Sequence, residues 1–294
     1  MKRNTLAPLV LLLVVVLLSG CTAAEKKRGV ATGVIIKEFR AEGMSEVYSG
    51  DSVIFTLTVE NIGGADADSV IAKIFGLGTD WKAEDPDTGQ RDLGTLAKSE
   101  AEYDIPGGLV ETTFQVKSPS GLAVDSTYEA GMRISYNYDT TAHGTLKIYD
   151  YDYLKSVPDE AETIMKSSAL DSFSVTKAPI TVSLAGAARP LIYRSGGTNK
   201  GYITVQLSNV GQGYSYSSTV GDRKVTITSA KINNKDCEGH PTTVVIPREG
   251  STSFACKFDI PTVVQFQTIP IDIQLDYKYF VDDSAEIKVL KTFT

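Results

Sequence analysis

The chain has 294 residues, with 29 basic against 36 acidic side chains and a formal net charge of −7. Taking away residues 1–20 removes Lys2 and Arg3 and no acid, leaving 27 basic against 36 acidic and a charge of −9. A chain this acidic is excluded as a duplex-binding protein, since that binding rests on clustered Lys and Arg. Its Val, Ile, Tyr and Phe content also excludes wholesale disorder.

In chain order, Lys2 and Arg3 precede an unbroken aliphatic run, Leu9 to Leu18. That run suits a signal-peptide core and is shorter than the roughly 20 residues that span a bilayer. Leu18-Ser19-Gly20-Cys21 resembles the lipobox of prokaryotic lipoproteins, in which the cysteine is lipidated and becomes the new N-terminus. The expectation is a signal peptide over 1–20 and a lipidated Cys21 with its tether over 21–30. An ordinary secretory leader is the alternative.

The stretch VIFTLTVENIGG, Val53 to Gly64, alternates apolar Val53, Phe55, Leu57 and Val59 with polar residues and stops at Asn61 and Gly63. That is a strand with one buried face ending in turn formers. YITVQLSNVGQG, Tyr202 to Gly213, repeats it 148 residues later. Further on, Met132, Ile134, Tyr136 and Tyr138 match Ile273, Leu275, Tyr277 and Tyr279 at an offset of 141, and Leu146 and Ile148 match Ile287 and Val289 at the same offset. Several matches in one register predict two tandem copies of one fold.

Each copy reads as about seven short strands between Gly, Pro, Asn and Ser turns, the pattern of a β-sandwich. The first is expected over 31–155, with strands near 33–41, 52–61, 68–76, 92–96, 109–117, 128–138 and 144–154. The second is expected over 179–294, near 179–185, 201–209, 222–232, 243–247, 251–259, 268–279 and 284–293. In both, the last two strands are read as a hairpin. The fold class is therefore all-β, two tandem sandwiches with a short helical linker.

The linker is 156–178. Within it Ser156 can cap, Pro158 suits a first helical turn, Asp159 and Glu160 favour a helix N-terminus, and Ala161, Ile164 and Met165 form a narrow stripe. One short helix is expected, with a structureless linker as the alternative.

Cys237 and Cys256 are the pair left once Cys21 is set aside, and in an exported chain they read as a disulfide closing a loop of about 20 residues.

SGDSVIFTLTVENIGGADA, with the strand before it, resembles the CARDB-type and related Ig-like modules of archaeal and some bacterial cell surfaces. With its lipobox, paired copies and LDYKYFVDDSAEIKV ending, the chain is similar to archaeal surface lipoproteins. The resemblance implies an Ig-like fold and a position on the outer face of the cell membrane. It implies no catalytic residues.

The residues themselves supply no enzyme signature. His143 and His240 both sit beside turn residues, and no Gly-x-Ser-x-Gly elbow occurs. No cofactor is expected apart from one alternative. Asp85, Asp87 and Asp92 around Gly89 offer the hard oxygens that Ca²⁺ takes, although Pro86-Asp87-Thr88-Gly89 is also an ordinary turn. Tyr149, Tyr151 and Tyr153 alternate with acids along one expected strand. With Tyr214 and Tyr216 they make a candidate platform for glycans or a protein partner, or else they pack at a domain junction. The expected partners are membrane lipid through Cys21 and other envelope proteins or surface glycans. The functional expectation is a lipid-anchored surface protein for envelope organisation, adhesion or assembly, with carbohydrate or small-ligand binding as the alternative.

Overall fold

The computed structural model describes residues 32–43, 46–84, 89–248 and 250–292. The expected signal peptide, Cys21 and its tether lie outside the described residues, as do Asp85 and Asp87.

The chain is all-β. Its first part runs β1 (Val34–Ala41), β2 (Glu46–Tyr48), β3 (Ser52–Asn61), β4 (Ala67–Phe75), β5 (Lys82–Ala83), β6 (Gln90–Leu96), β7 (Leu109–Lys117) and β8 (Ser126–Asp150). Two helices follow, α1 (Tyr151–Ser156) and α2 (Pro158–Lys166). Then come β9 (Leu170–Val175), β10 (Ile180–Ala185), β11 (Leu191–Tyr193), β12 (Lys200–Asn209), β13 (Tyr214–Tyr216), β14 (Lys224–Ile232), β15 (Lys235–Asp236), β16 (Thr243–Val245), β17 (Ser251–Asp259) and β18 (Phe266–Leu290).

The strands form three sheets. One small sheet has the order β1-β3-β7-β5 and another β10-β12-β17, while an 11-stranded sheet carries β15-β14-β18-β8-β4-β6 along its main path. The first half supplies one small sheet and the second half the other.

The expected hairpins at 138–144 and 279–284 are absent. β8 and β18 are each one uninterrupted 25-residue strand, long enough to run roughly 80 Å at the usual rise per residue. They pair antiparallel throughout, from Phe266 opposite Tyr149 to Val289 opposite Ser126. The physical reason is unbroken alternation. In β8 the even-numbered Ala130, Met132, Ile134, Tyr136, Tyr138, Thr140, Ala142, Leu146 and Ile148 are all buried, and the β-branched Thr140, Thr141 and Thr145 favour extension over a turn. Gly144 holds an inward position in that series. A Cβ there would lie 2.5 Å from the Ser172 carbonyl oxygen and 2.8 Å from the Phe173 ring, so the glycine serves close packing.

Each long strand serves both halves. The N-terminal part of β8 pairs with β4 of the first half, while residues 142–146 pair with β9 and 148–150 with β11. Residues 271–276 of β18 pair with β14 of the second half, and its far end, 288–290, pairs with β2 of the first. The same face of β18 is buried at Ile269, Ile271, Ile273, Leu275, Tyr277, Tyr279, Ile287 and Val289. Both small sheets thus cover one face of the large sheet, and one contiguous core runs through the two halves.

The linker holds more structure than expected. Tyr151 and Tyr153 lie in α1, because Asp150 ends the strand and its carboxylate accepts a hydrogen bond from Tyr153 N at 2.9 Å, a helix N-cap. Pro158 opens α2 with Asp159 and Glu160 behind it, and β9 then joins the large sheet.

Cys237 and Cys256 form a disulfide, with Cα atoms 5.1 Å apart. Cys256 is fully buried in β17 and Cys237 follows β15. The bridge therefore clips an edge of the large sheet to the small sheet facing it.

Candidate functional site

The middle of the β8–β18 ladder is a cluster of four buried tyrosines. Tyr136 faces Tyr279 and Tyr138 faces Tyr277 across the strands, with ring centroids 5.9 and 6.3 Å apart. The backbone hydrogen bonds to their hydroxyls reproduce the repeat. Tyr136 accepts from Val34 N at 3.2 Å and Tyr277 from Ile180 N at 3.3 Å, each at the start of its small sheet. Tyr138 accepts from Ala65 N at 3.2 Å and Tyr279 from Gly213 N at 3.0 Å.

The turns that these last two bind are also equivalent. Asn61 Nδ2 donates to the Ala65 carbonyl, and Asn209 Nδ2 to the Gly213 carbonyl, both at 2.9 Å. A Cβ on Gly63 would lie 1.9 Å from the Tyr138 hydroxyl, and one on Gly211 2.4 Å from that of Tyr279. Burial pushes Tyr138 up to about 12 and Tyr136 and Tyr277 well above the usual phenol value. These hydroxyls stay protonated and structural.

The other face of the large sheet is not covered by a small sheet, and one aromatic and cationic patch sits on it. Tyr214 and Tyr216 of β13 flank Phe280, with ring centroids 5.3 and 5.9 Å away. The Arg133 guanidinium lies 4.2 Å from the centre of the Phe280 ring and 5.4 Å from that of Phe75. It also makes two 2.7 Å hydrogen bonds to the Asp282 carboxylate, which fixes its plane and raises its pKa. Arg248 and Arg223 stand 4.8 and 5.8 Å from the Tyr214 ring. Phe75 is exposed at the rim.

The tyrosines expected to act together are thus divided. Tyr214 and Tyr216 join this patch. Tyr149 packs against Phe266 at the far end of the ladder, with centroids 4.9 Å apart. Tyr151 stacks between Lys155 and Arg194, at 4.4 and 4.0 Å. Tyr149, Tyr151 and Tyr153 do not share a strand face, since α1 begins at Tyr151. Phe280 and Arg133 went unread in the sequence, although YKYFVD places Phe280 at a position where alternation calls for a polar side chain.

Of the calcium candidates, Asp92 lies in β6, and its Oδ1 accepts from Gly94 N at 2.9 Å. Asp85 and Asp87 are outside the described residues, and among the described residues no group of three or more His, Cys, Asp or Glu side chains is placed to hold a metal ion. His143 sits within β8 rather than in a turn, with Nδ1 2.6 Å from the Asp272 carboxylate.

Beside the patch opens a groove of about 1130 Å³. Its walls include Phe75, Tyr128, Gln212, Arg248, Asp283 and Ser284, so it runs along β18 between the two halves.

No family model matches the chain, and no curated protein matches it. Among solved structures, it is similar to the secreted serine protease VesC from Vibrio cholerae at a TM-score of 0.18 and 11% identity, over 85% of this chain and 51% of that one. The chain spans about half the length of that protein. A likeness of this size carries no argument about fold or activity.

Proposed function

We propose that the protein is a lipid-anchored, non-enzymatic interaction protein of the cell surface that displays two fused Ig-like sandwiches on the outer face of the membrane. The lipobox-like segment ending at Cys21 supports the anchor. A diacylated cysteine supplies the second chain that stable membrane residence needs.

The observation that carries the interaction reading is the patch of Phe280, Arg133, Tyr214, Tyr216, Arg248 and Phe75. Tyr and Arg dominate the energetic centres of protein interfaces, and here a bidentate carboxylate and ring stacking hold them in place in advance. Pre-ordered side chains lose less freedom on binding. The partner class is another envelope protein that presents carboxylates to Arg248 and Arg223. Glycan stacking is the weaker reading, because Arg133 and Tyr214 already occupy the Phe280 ring.

A photo-crosslinking side chain at Tyr216, compared with one at the exposed Tyr202 on β12, tests the patch in intact cells. A discrete protein adduct from position 216 only is the expected result. Adducts that are equal at both positions, or glycan binding that is lost on Tyr216→Ala, would sink it. The anchor has its own readout: Cys21→Ser releases the protein from membranes or blocks its processing.

A further inference from the structure

The two halves match along the β8–β18 ladder except in one place. In the second half, β9 covers the edge of β8 at Ala142, His143, Gly144, Thr145 and Leu146. The counterpart edge at the 141-residue offset is Asp283 to Ile287 of β18. Among the described residues it has no strand partner, since β13 stops opposite Phe280 and β2 starts opposite Lys288. An open edge of unpaired backbone is a template for an added strand, and the groove described above lies along it.

What β9 does predicts what belongs there. β9 is the segment just before β10, and its chain continues through Thr176, whose N–H donates to the Thr141 carbonyl at 2.9 Å, and Lys177, whose carbonyl accepts from Gly64 N at 2.7 Å. β10 is the counterpart of β1. The equivalence is exact at their entrances, where Val210 N donates to the Pro179 carbonyl and Ile62 N to the Gly33 carbonyl, both at 2.9 Å. At that 146-residue offset, Leu170–Val175 corresponds to residues 24–29, AEKKRG. The described chain begins at Thr32, next to this entrance.

Charge agrees. Glu286 faces Glu129 in the ladder, and neither carboxylate has a cation partner among the ion pairs of the described residues. Like charges directly opposite one another are unfavourable. In the β9 register, Lys26 falls opposite Glu286, Arg28 opposite Ser284 and Lys27 opposite Ala285 beside Asp283.

We propose that the chain's own segment Ala24–Gly29 adds antiparallel to the β18 edge at 283–287, completing the sheet where β9 completes its counterpart. This placement does not depend on lipidation of Cys21. The docked segment occupies the groove, whose walls include Phe75 and Arg248 of the patch, and leaves Phe280, Tyr214 and Tyr216 open on the outer face.

The test is disulfide trapping in the full chain. Lys27→Cys with Ala285→Cys occupies the register of Phe173 and Gly144, and Lys27→Cys with Ile54→Cys on β3 is the control. The expected result is an intramolecular bridge in the first pair and its absence in the control, whose Cα atoms lie beyond bridging distance in the proposed register. Hydrogen exchange provides a second reading: the amides of Asp282 and Glu286 exchange about tenfold faster in the Lys26→Glu/Lys27→Glu/Arg28→Glu variant than in the parent. Equal trapping in both pairs, or exchange unmoved by charge reversal, overturns the proposal. A bridge found only between copies assigns the edge to a second molecule and overturns it too.

Discussion

Asn137 stands directly opposite Lys278 in the β8–β18 ladder, and the two are each other's counterparts at the 141-residue offset between the halves. An approximate twofold axis therefore passes through this pair. Beyond it each strand leaves its own half and enters the other, so the halves share their longest strands.

Shared strands predict one cooperative unfolding transition. Thermal unfolding followed by near- and far-ultraviolet circular dichroism should give coincident curves. Deleting Thr141 should abolish that transition, because a one-residue slip turns Ala142, Leu146 and Ile148 outward and Lys147 inward. Deleting Thr141 and Ala142 together restores the alternation and should leave a cooperative, less stable fold.

The tyrosine hydroxyls should matter equally in both halves. Tyr138→Phe leaves Ala65 N without its partner, and Tyr279→Phe does the same to Gly213 N. Each should cost about 1–3 kcal/mol, the range for stranding a buried polar group, read from denaturant midpoints. A change confined to Tyr138→Phe would mean that the halves are not energetically equivalent. Gly63→Ala should cost more than either, since its Cβ would overlap the Tyr138 hydroxyl.

Acid should relieve one site. Asp139 has its pKa raised by burial and by Asp276 directly opposite, with Asp66 and Asp68 adding to the repulsion. A carboxyl raised in the folded state favours folding while protonated, and that contribution is lost as pH climbs from about 3.8 through the folded value. Asp139→Asn should therefore raise the melting temperature at pH 7. The difference from the parent should vanish below the ordinary carboxyl value, as a melting series from pH 3 to pH 8 would show.

Reduction of Cys237–Cys256 should lower stability by roughly 3 kcal/mol on the chain-entropy account of a loop this size. Because the core is continuous, the loss should shift the whole transition instead of splitting it. A reductant titration followed by the fluorescence of Trp81, which lies in the other half and packs edge-on against Tyr128, reads this directly.

Much of the fold was legible in local alternation. The strand around Val53–Asn61, its copy at Tyr202–Asn209 and the 141-residue offset all reflect burial of one face, which a period of two records faithfully. The continuity of β8 and β18 was not legible by the same means. Asp139, His143 and Gly144, and later Asp282, Asp283 and Ser284, look like turn residues when read singly. Gly144 is small because β9 packs against it, and the others are polar because they line the uncovered face or an open edge, which is settled only by the partner strand. The patch was half legible. Tyr214 and Tyr216 were picked out, but Arg133 and Phe280 come from different copies and meet only because the ladder pairs residues about 150 positions apart. Tyr151 and Tyr153 were misplaced by an N-cap, since Asp150 reads equally well as one more residue of the strand.

The 24-pair ladder through the middle of the molecule also has a mechanical consequence. Tandem modules on a flexible joint swing independently and present their surfaces at many angles. Here the two longest beams cross the midpoint together, and no joint is left for bending. A pull on the patch is carried along β18 as shear spread over many hydrogen bonds, reaching the first half through β2 without a change of angle. The molecule should behave as a stiff strut, holding whatever the patch meets at one distance and one orientation from its opposite end.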